Sequence, residues 1–100
     1  MSKVTEGNKF VLVKCKVSLG MFSTERAVTI ELTGGQRATA FAHRREVVTS
    51  KKPAKHELLR GCLRAELVEI QGNSALIELP QPALGMGTRV RVPTSIIQRR

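Results

Sequence analysis

Gly61–Leu79, GCLRAELVEIQGNSALIEL, followed by Pro80, decides the fold. Two runs rich in Leu, Val, Ile and Ala flank the turn cluster Gln71-Gly72-Asn73-Ser74, the pattern of a β-hairpin. The first arm contains an irregularity. Leu63, Ala65 and Leu67 share one parity, whereas Val68 and Ile70 have the other. Side chains alternate with period two along a strand, so both sets reach one core only through an extra residue. A β-bulge near Leu67-Val68 is therefore expected. The return arm places Ala75, Ile77 and Leu79 on one face, with Leu76 and Glu78 opposite. Pro80 and Pro82 are expected to stop it, because proline supplies no ladder hydrogen bond.

Upstream of the hairpin the same period recurs. Val11, Val13, Cys15, Val17 and Leu19 share one face of Lys9–Leu19, while Lys14, Lys16 and Ser18 share the other. This is a strand with one buried face. Gly20 ends it, and residues 21–26 form a loop or bulged turn. Ala27–Leu32 alternates again, with Val28, Ile30 and Leu32 inward. The paired Gly34-Gly35 suits the positive φ of a turn, and Arg37–His43 returns with Ala38, Ala40 and Ala42 on one side. His43–Val48 continues that strand or begins a turn. Thr49–Glu57, TSKKPAKHE, reads as an exposed loop, with a short helical turn over Ala54–Leu59 as an alternative. Beyond the hairpin, Thr88–Val92 is a last strand with Val90 and Val92 inward. Thr94–Ile97 suits a single 3₁₀ turn that plugs the core.

Six short strands and no long helix predict an all-β protein: a small antiparallel barrel of five to six strands, SH3-like first and OB-like second. One hundred residues suffice for one modest core. The expected organisation is a flexible N-terminal tail over 1–8 and a single barrel domain over 9–98. The two hairpins form a weak structural echo, without residue-level repetition.

Composition narrows the function. The formal charge is +9, from 17 Lys and Arg against 8 acids that are all Glu. Such an excess favours polyanionic partners. The cations are unevenly spread. Arg44, Arg45, Lys51, Lys52, Lys55, Arg60 and Arg64 crowd residues 43–64. Arg89, Arg91, Arg99 and Arg100 follow in a C-terminal part that has no acid from residue 79 onward. Between these groups, residues 65–88 hold Glu66, Glu69 and Glu78 and no cation, which directs a polyanion away from the hairpin's return arm.

Catalytic patterns are missing from the sequence. It has no Asp, no G-x-S-x-G, no P-loop and no G-x-G-x-x-G. Glu66 and Glu69 suit a strand surface, and Gly85-Met86-Gly87 is a loop signature. Cys15, Cys62, His43 and His56 lack metal-ligand spacing. The two cysteines are expected to be reduced thiols in a cytoplasmic protein, and no apolar run is long enough to span a membrane. Only Phe10, Phe22 and Phe41 could stack on bases, and at least one is expected in the core. This favours contact with the nucleic-acid backbone. The sequence thus predicts a non-enzymatic module without cofactor or metal. It would contact nucleic acid, RNA before DNA, through Arg44, Arg45, Lys51, Lys52, Lys55, Arg89 and Arg91. The alternative is a protein–protein interaction or assembly module that self-associates or binds another protein. A small enzyme or ligand-binding barrel, with a deep pocket beside His43 or Glu66, is the third reading.

Overall fold

A computed structural model describes residues 9–98 of the chain. The tail expected over 1–8, and Arg99 and Arg100, lie outside the described residues. Eight strands appear: β1 (Lys9–Leu19), β2 (Glu25–Glu31), β3 (Arg37–His43), β4 (Val47–Val48), β5 (Leu59–Gln71), β6 (Ser74–Ala83), β7 (Gly87–Pro93) and β8 (Ile97–Gln98). The fold is all-β. Strands β1, β2, β3, β6 and β5 pair in that order, and β5 pairs back to β1, which closes a five-stranded antiparallel barrel. Strands β7, β4 and β8 are added at β6, β5 and β1.

The alternation seen in the sequence is the alternation of burial. Val11, Val13, Cys15 and Val17 point inward from β1, Val28 and Ile30 from β2, and Ala38, Ala40 and Ala42 from β3. Ala75, Ile77 and Leu79 of β6 and Val90 and Val92 of β7 complete the core with Leu63 and Ala65 of β5. The small alanines of β3 suit a tight bend, since Ala40 faces Ala83 where the barrel closes. Apart from Cys15 the core is aliphatic. Contrary to expectation, no phenylalanine is buried in it: Phe10 and Phe22 are exposed and Phe41 is half-buried. After Val92, the 3₁₀ turn Thr94–Ile96 brings Ile96 and Ile97 against the core, as expected.

The decisive hairpin is present with two adjustments. Gly72 takes the positive φ of 62° that the first central position of a two-residue turn requires, and Gln71 pairs with Ser74. The register shifts between Leu67 and Glu69, so the bulge lies where the parity change placed it. It does not bring Ile70 into the core, however; that side chain stays exposed. The second adjustment concerns Pro80 and Pro82, which do not end the strand. β6 runs on to Ala83. Its ladder with β7 is interrupted between Glu78 and Ala83, and the prolines occupy that interruption. Beyond them the strand bends across to β3 and closes the barrel.

Two connections were open between alternatives in the sequence. His43–Val48 takes the turn rather than the continued strand: Arg44–Glu46 forms a 3₁₀ turn that feeds β4. His43 caps it, with Nδ1 accepting from the Arg45 backbone N–H at 3.1 Å. The alternative helical turn over Ala54–Leu59 is replaced by a single turn closed by the Glu57 N–H to the Ala54 carbonyl at 3.0 Å. The Glu57 carboxylate accepts from the Ala54 N–H at 2.8 Å, and the fully buried Pro53 pins the loop. Leu59 joins β5, while Leu58 stays exposed.

The two halves are related by an approximate two-fold axis, but it matches the Gly34-Gly35 turn to the turn at Gly85 and not to the Gly72-Asn73 hairpin of the weak echo. Features 50 positions apart correspond: the left-handed Gly35 and Gly85, the cap residues His43 and Pro93, the 3₁₀ turns Arg44–Glu46 and Thr94–Ile96, and strands β4 and β8. Val13 pairs with both Leu63 and Ile97, while Leu63 pairs with both Val13 and Val47. The axis therefore runs through the Val13–Leu63 pair. At this offset Gly35 and Gly85 are the only identical residues between the halves. Burial pattern and backbone geometry were kept without side-chain identity.

Candidate functional site

The longest ladder of the barrel joins β1 to β5 over Lys9–Val17 and Leu59–Leu67. Because neighbours alternate, a single set of its side chains faces outward: Phe10 opposite Glu66, Leu12 opposite Arg64, Lys14 opposite Cys62, and Lys16 opposite Arg60. On the other edge of β1, Lys16 faces Thr29 of β2, and Glu31 faces Arg37 on β3.

One end of this face borders a groove of about 870 Å³. Lys14, Lys16, Arg37 and Arg60 line it together with Thr29, Glu31, Leu58, Cys62 and Ile96. Four cations thus share the groove with one carboxylate. Among the described residues none of the four takes part in a salt bridge. Lys16 and Arg60 stand directly opposite each other, an arrangement that weakens a sheet through like-charge repulsion. An anion bridging the two would remove that penalty.

A second hollow of about 430 Å³ occupies the position related by the two-fold axis. Phe10, Leu12, Val48, Arg45, Glu46 and Arg64 border it. Here Phe10 stands where Arg60 stands in the first groove. The Arg64 guanidinium carbon lies 4.2 Å from the centre of the Phe10 ring, a cation–π contact. The two hollows are similarly placed but chemically different, one cationic and one partly aromatic.

The residues singled out from the sequence fall in three places. Arg44 and Arg45 lie on the 3₁₀ turn before β4, and Arg45 reaches the second hollow. Lys51, Lys52 and Lys55 lie on the exposed loop, where Lys51 is paired with Glu57 at 3.2 Å. The backbone N–H of Ala54, and then Lys51, hold Glu57 below the usual carboxylate range. Arg89 and Arg91 are on β7, and both are neutralised by the hairpin. Arg89 Nε donates to Glu78 at 2.7 Å, and Arg91 Nη2 to Glu69 at 3.2 Å. Hydrogen bonds from Thr88 and from Arg89 hold Glu78 low in turn. The structure therefore brings together a different set, Lys14, Lys16, Arg37 and Arg60. Lys14 and Lys16 face outward in the alternation of β1, and Arg60 belongs to the basic run. Their common groove depends on a register between strands far apart in the chain.

The cysteines lie on opposite faces of the same ladder. Cys15 points into the core, and burial pushes its thiol up to about 12. Cys62 is half-exposed at the groove; burial raises its thiol and Lys14 opposes the rise. Both are free. His43, spent as a cap, borders a hollow of only about 140 Å³, below the roughly 300–1,000 Å³ of small-molecule pockets. Among the described residues no group of three or more His, Cys, Asp or Glu could hold a metal ion, and no helix is long and apolar enough to cross a membrane. Comparison with protein-family models, curated proteins and solved structures returned no match to this chain.

Proposed function

We propose that the protein is a non-enzymatic binding module that contacts nucleic acid, RNA or a ribonucleoprotein, through backbone phosphates on the outer face of β1 and β5. One observation carries this reading: Lys14, Lys16, Arg37 and Arg60 share a groove and have no salt-bridge partner among the described residues, and two of them are held directly opposite each other. Phosphate oxygens would relieve that repulsion, and counterions released from the nucleic acid would drive association. A cytoplasmic setting, where thiols stay reduced, accords with two free cysteines on opposite faces of one ladder.

The test is fluorescence anisotropy with a labelled single-stranded RNA titrated across about 50–200 mM salt. Affinity should fall steeply with salt. The triple variant Lys14→Gln, Lys16→Gln, Arg60→Gln should flatten the log–log slope by about 2, at roughly 0.7 for each single-strand phosphate contact. No binding at low salt, or a slope that the triple variant leaves unchanged, would refute the proposal.

A protein-interaction role rests on a different observation, the exposed Met21, Phe22, Leu84 and Met86 on two loops. A defined oligomer in light scattering, lost on Phe22→Ser, would favour it.

A further inference from the structure

We infer that the strand bound on this face is single and lies along β1, with one unstacked base on Phe10 and its phosphates on Lys14, Lys16 and Arg60. The inference rests on the nucleic-acid reading above and adds the class of nucleic acid and its placement.

Phe10, Leu12, Lys14 and Lys16 occupy alternate positions of one strand, so all four project from the same face. At roughly 3.3 Å per residue, Phe10 lies on the order of 20 Å from Lys16. That is a few nucleotides, the short end of the ~4–16 nucleotides that small barrels accommodate. The order along β1 is aromatic, apolar, cation, cation. It matches a ligand that presents a base plane at one end and a charged backbone beyond it.

The ring is also prepared for stacking. Phe10 is 53% exposed although it sits in a paired strand. Isolated exposed apolar side chains are commonplace, but this one has company. Arg64 covers the ring at 4.2 Å, the exposed Val48 and half-buried Leu12 border the same hollow, and the two-fold axis relates that hollow to the cationic groove. A guanidinium lying on an aromatic ring extends the π surface available to a base. Bases in a duplex are stacked inward and cannot reach such a platform. Single strands expose them.

Two fluorescein-labelled probes, a ten-nucleotide oligouridine and an RNA duplex of ten base pairs, test the inference at fixed salt. The single strand should bind more tightly. Phe10→Ala should weaken it by about 5- to 160-fold, the range for one stacked base, and leave the salt slope unchanged. Phe10→Tyr should retain affinity, and Phe10→Leu, which keeps an apolar side chain but no ring face, should lose it. Lys16→Gln should instead lower the slope. If the duplex binds as tightly as the single strand, or Phe10→Leu binds like the wild type, the inference is overturned while phosphate contact survives. If neither probe binds, both readings are overturned.

Discussion

Lys16 stands opposite Arg60 on the β1–β5 ladder, so replacing it with Glu turns a like-charged cross-strand pair into an ion pair. Directly opposed Cβ atoms lie about 5 Å apart. At that distance two unit charges in water interact by about 0.8 kcal/mol. Both side chains are long and exposed and can swing apart, so the repulsion relieved is smaller than this, as is the attraction gained. Together they amount to roughly 1 kcal/mol, which for a domain of this size raises Tm by about 4–8 °C. Thermal unfolding followed by circular dichroism at about 0.01 M and about 1 M salt would measure it. The gain should shrink at high salt, where the screening length falls from about 30 Å to about 3 Å. The same substitution should abolish salt-dependent RNA binding. Stability and binding would then move in opposite directions, as expected where a repulsive pair is kept for a ligand. A Tm that falls, or a gain that survives at high salt, would refute both the register and the repulsion it implies.

Other outcomes follow from single sites. Gly61→Ala should destabilise by roughly 1–3 kcal/mol through overpacking, because an added Cβ would meet the Val48 carbonyl oxygen at 2.6 Å and Thr49 Cγ2 at 2.7 Å; a denaturant midpoint equal to that of the wild type would contradict the packing. At pH 8 iodoacetamide should alkylate Cys62 in the folded protein and the buried Cys15 only after unfolding, and bound oligonucleotide should slow the reaction at Cys62. Mass spectrometry would reveal equal rates if the two thiols did not occupy opposite faces. Burial raises the Cys15 thiol from 9.0 to about 12, so between these values the folded chain keeps a proton that the unfolded chain has lost. That share of the stability is complete below pH 9 and declines as the pH approaches 12. Urea titrations should show a smaller decline in Cys15→Ala than in the wild type. Arg89→Ala with Arg91→Ala should change RNA affinity far less than Lys14→Gln with Lys16→Gln, since the charges on β7 are already compensated; equal losses would move the site to β7.

Local patterns made most of the fold legible in the sequence. Val11 to Val17 alternates within a single strand, Gly72-Asn73 marks its own turn, and the parity change at Leu67-Val68 records the bulge without reference to any other segment. Pairings between distant segments were not legible. Nothing near Pro80 reveals that the strand must bend toward Ala40, and nothing near Ile70 shows that it remains outside the core. The two-fold relation was hidden because burial and turn geometry survive at an offset where almost every residue differs. The candidate site follows the same division. That Lys14 and Lys16 face outward can be read from β1 alone. That Arg60 joins them, and that Glu78 and Glu69 neutralise Arg89 and Arg91, depends on registers between separate strands. Charge counted along the chain located the basic segments, but only the ladder separates compensated cations from free ones.

The two-fold arrangement carries a consequence for how the chain acquires its structure. Each half ends in a short strand that lies on the other half: β4 on β5, and β8 on β1. While the chain is growing, Val13 therefore waits with one edge bare until Ile97 has been made. The first half cannot complete its own sheet, and open edges of this kind are prone to errant pairing. Closing so large a span late makes folding slow relative to domains with local contacts. The same interlock favours all-or-none unfolding, because releasing either end strips a strand from the opposite half.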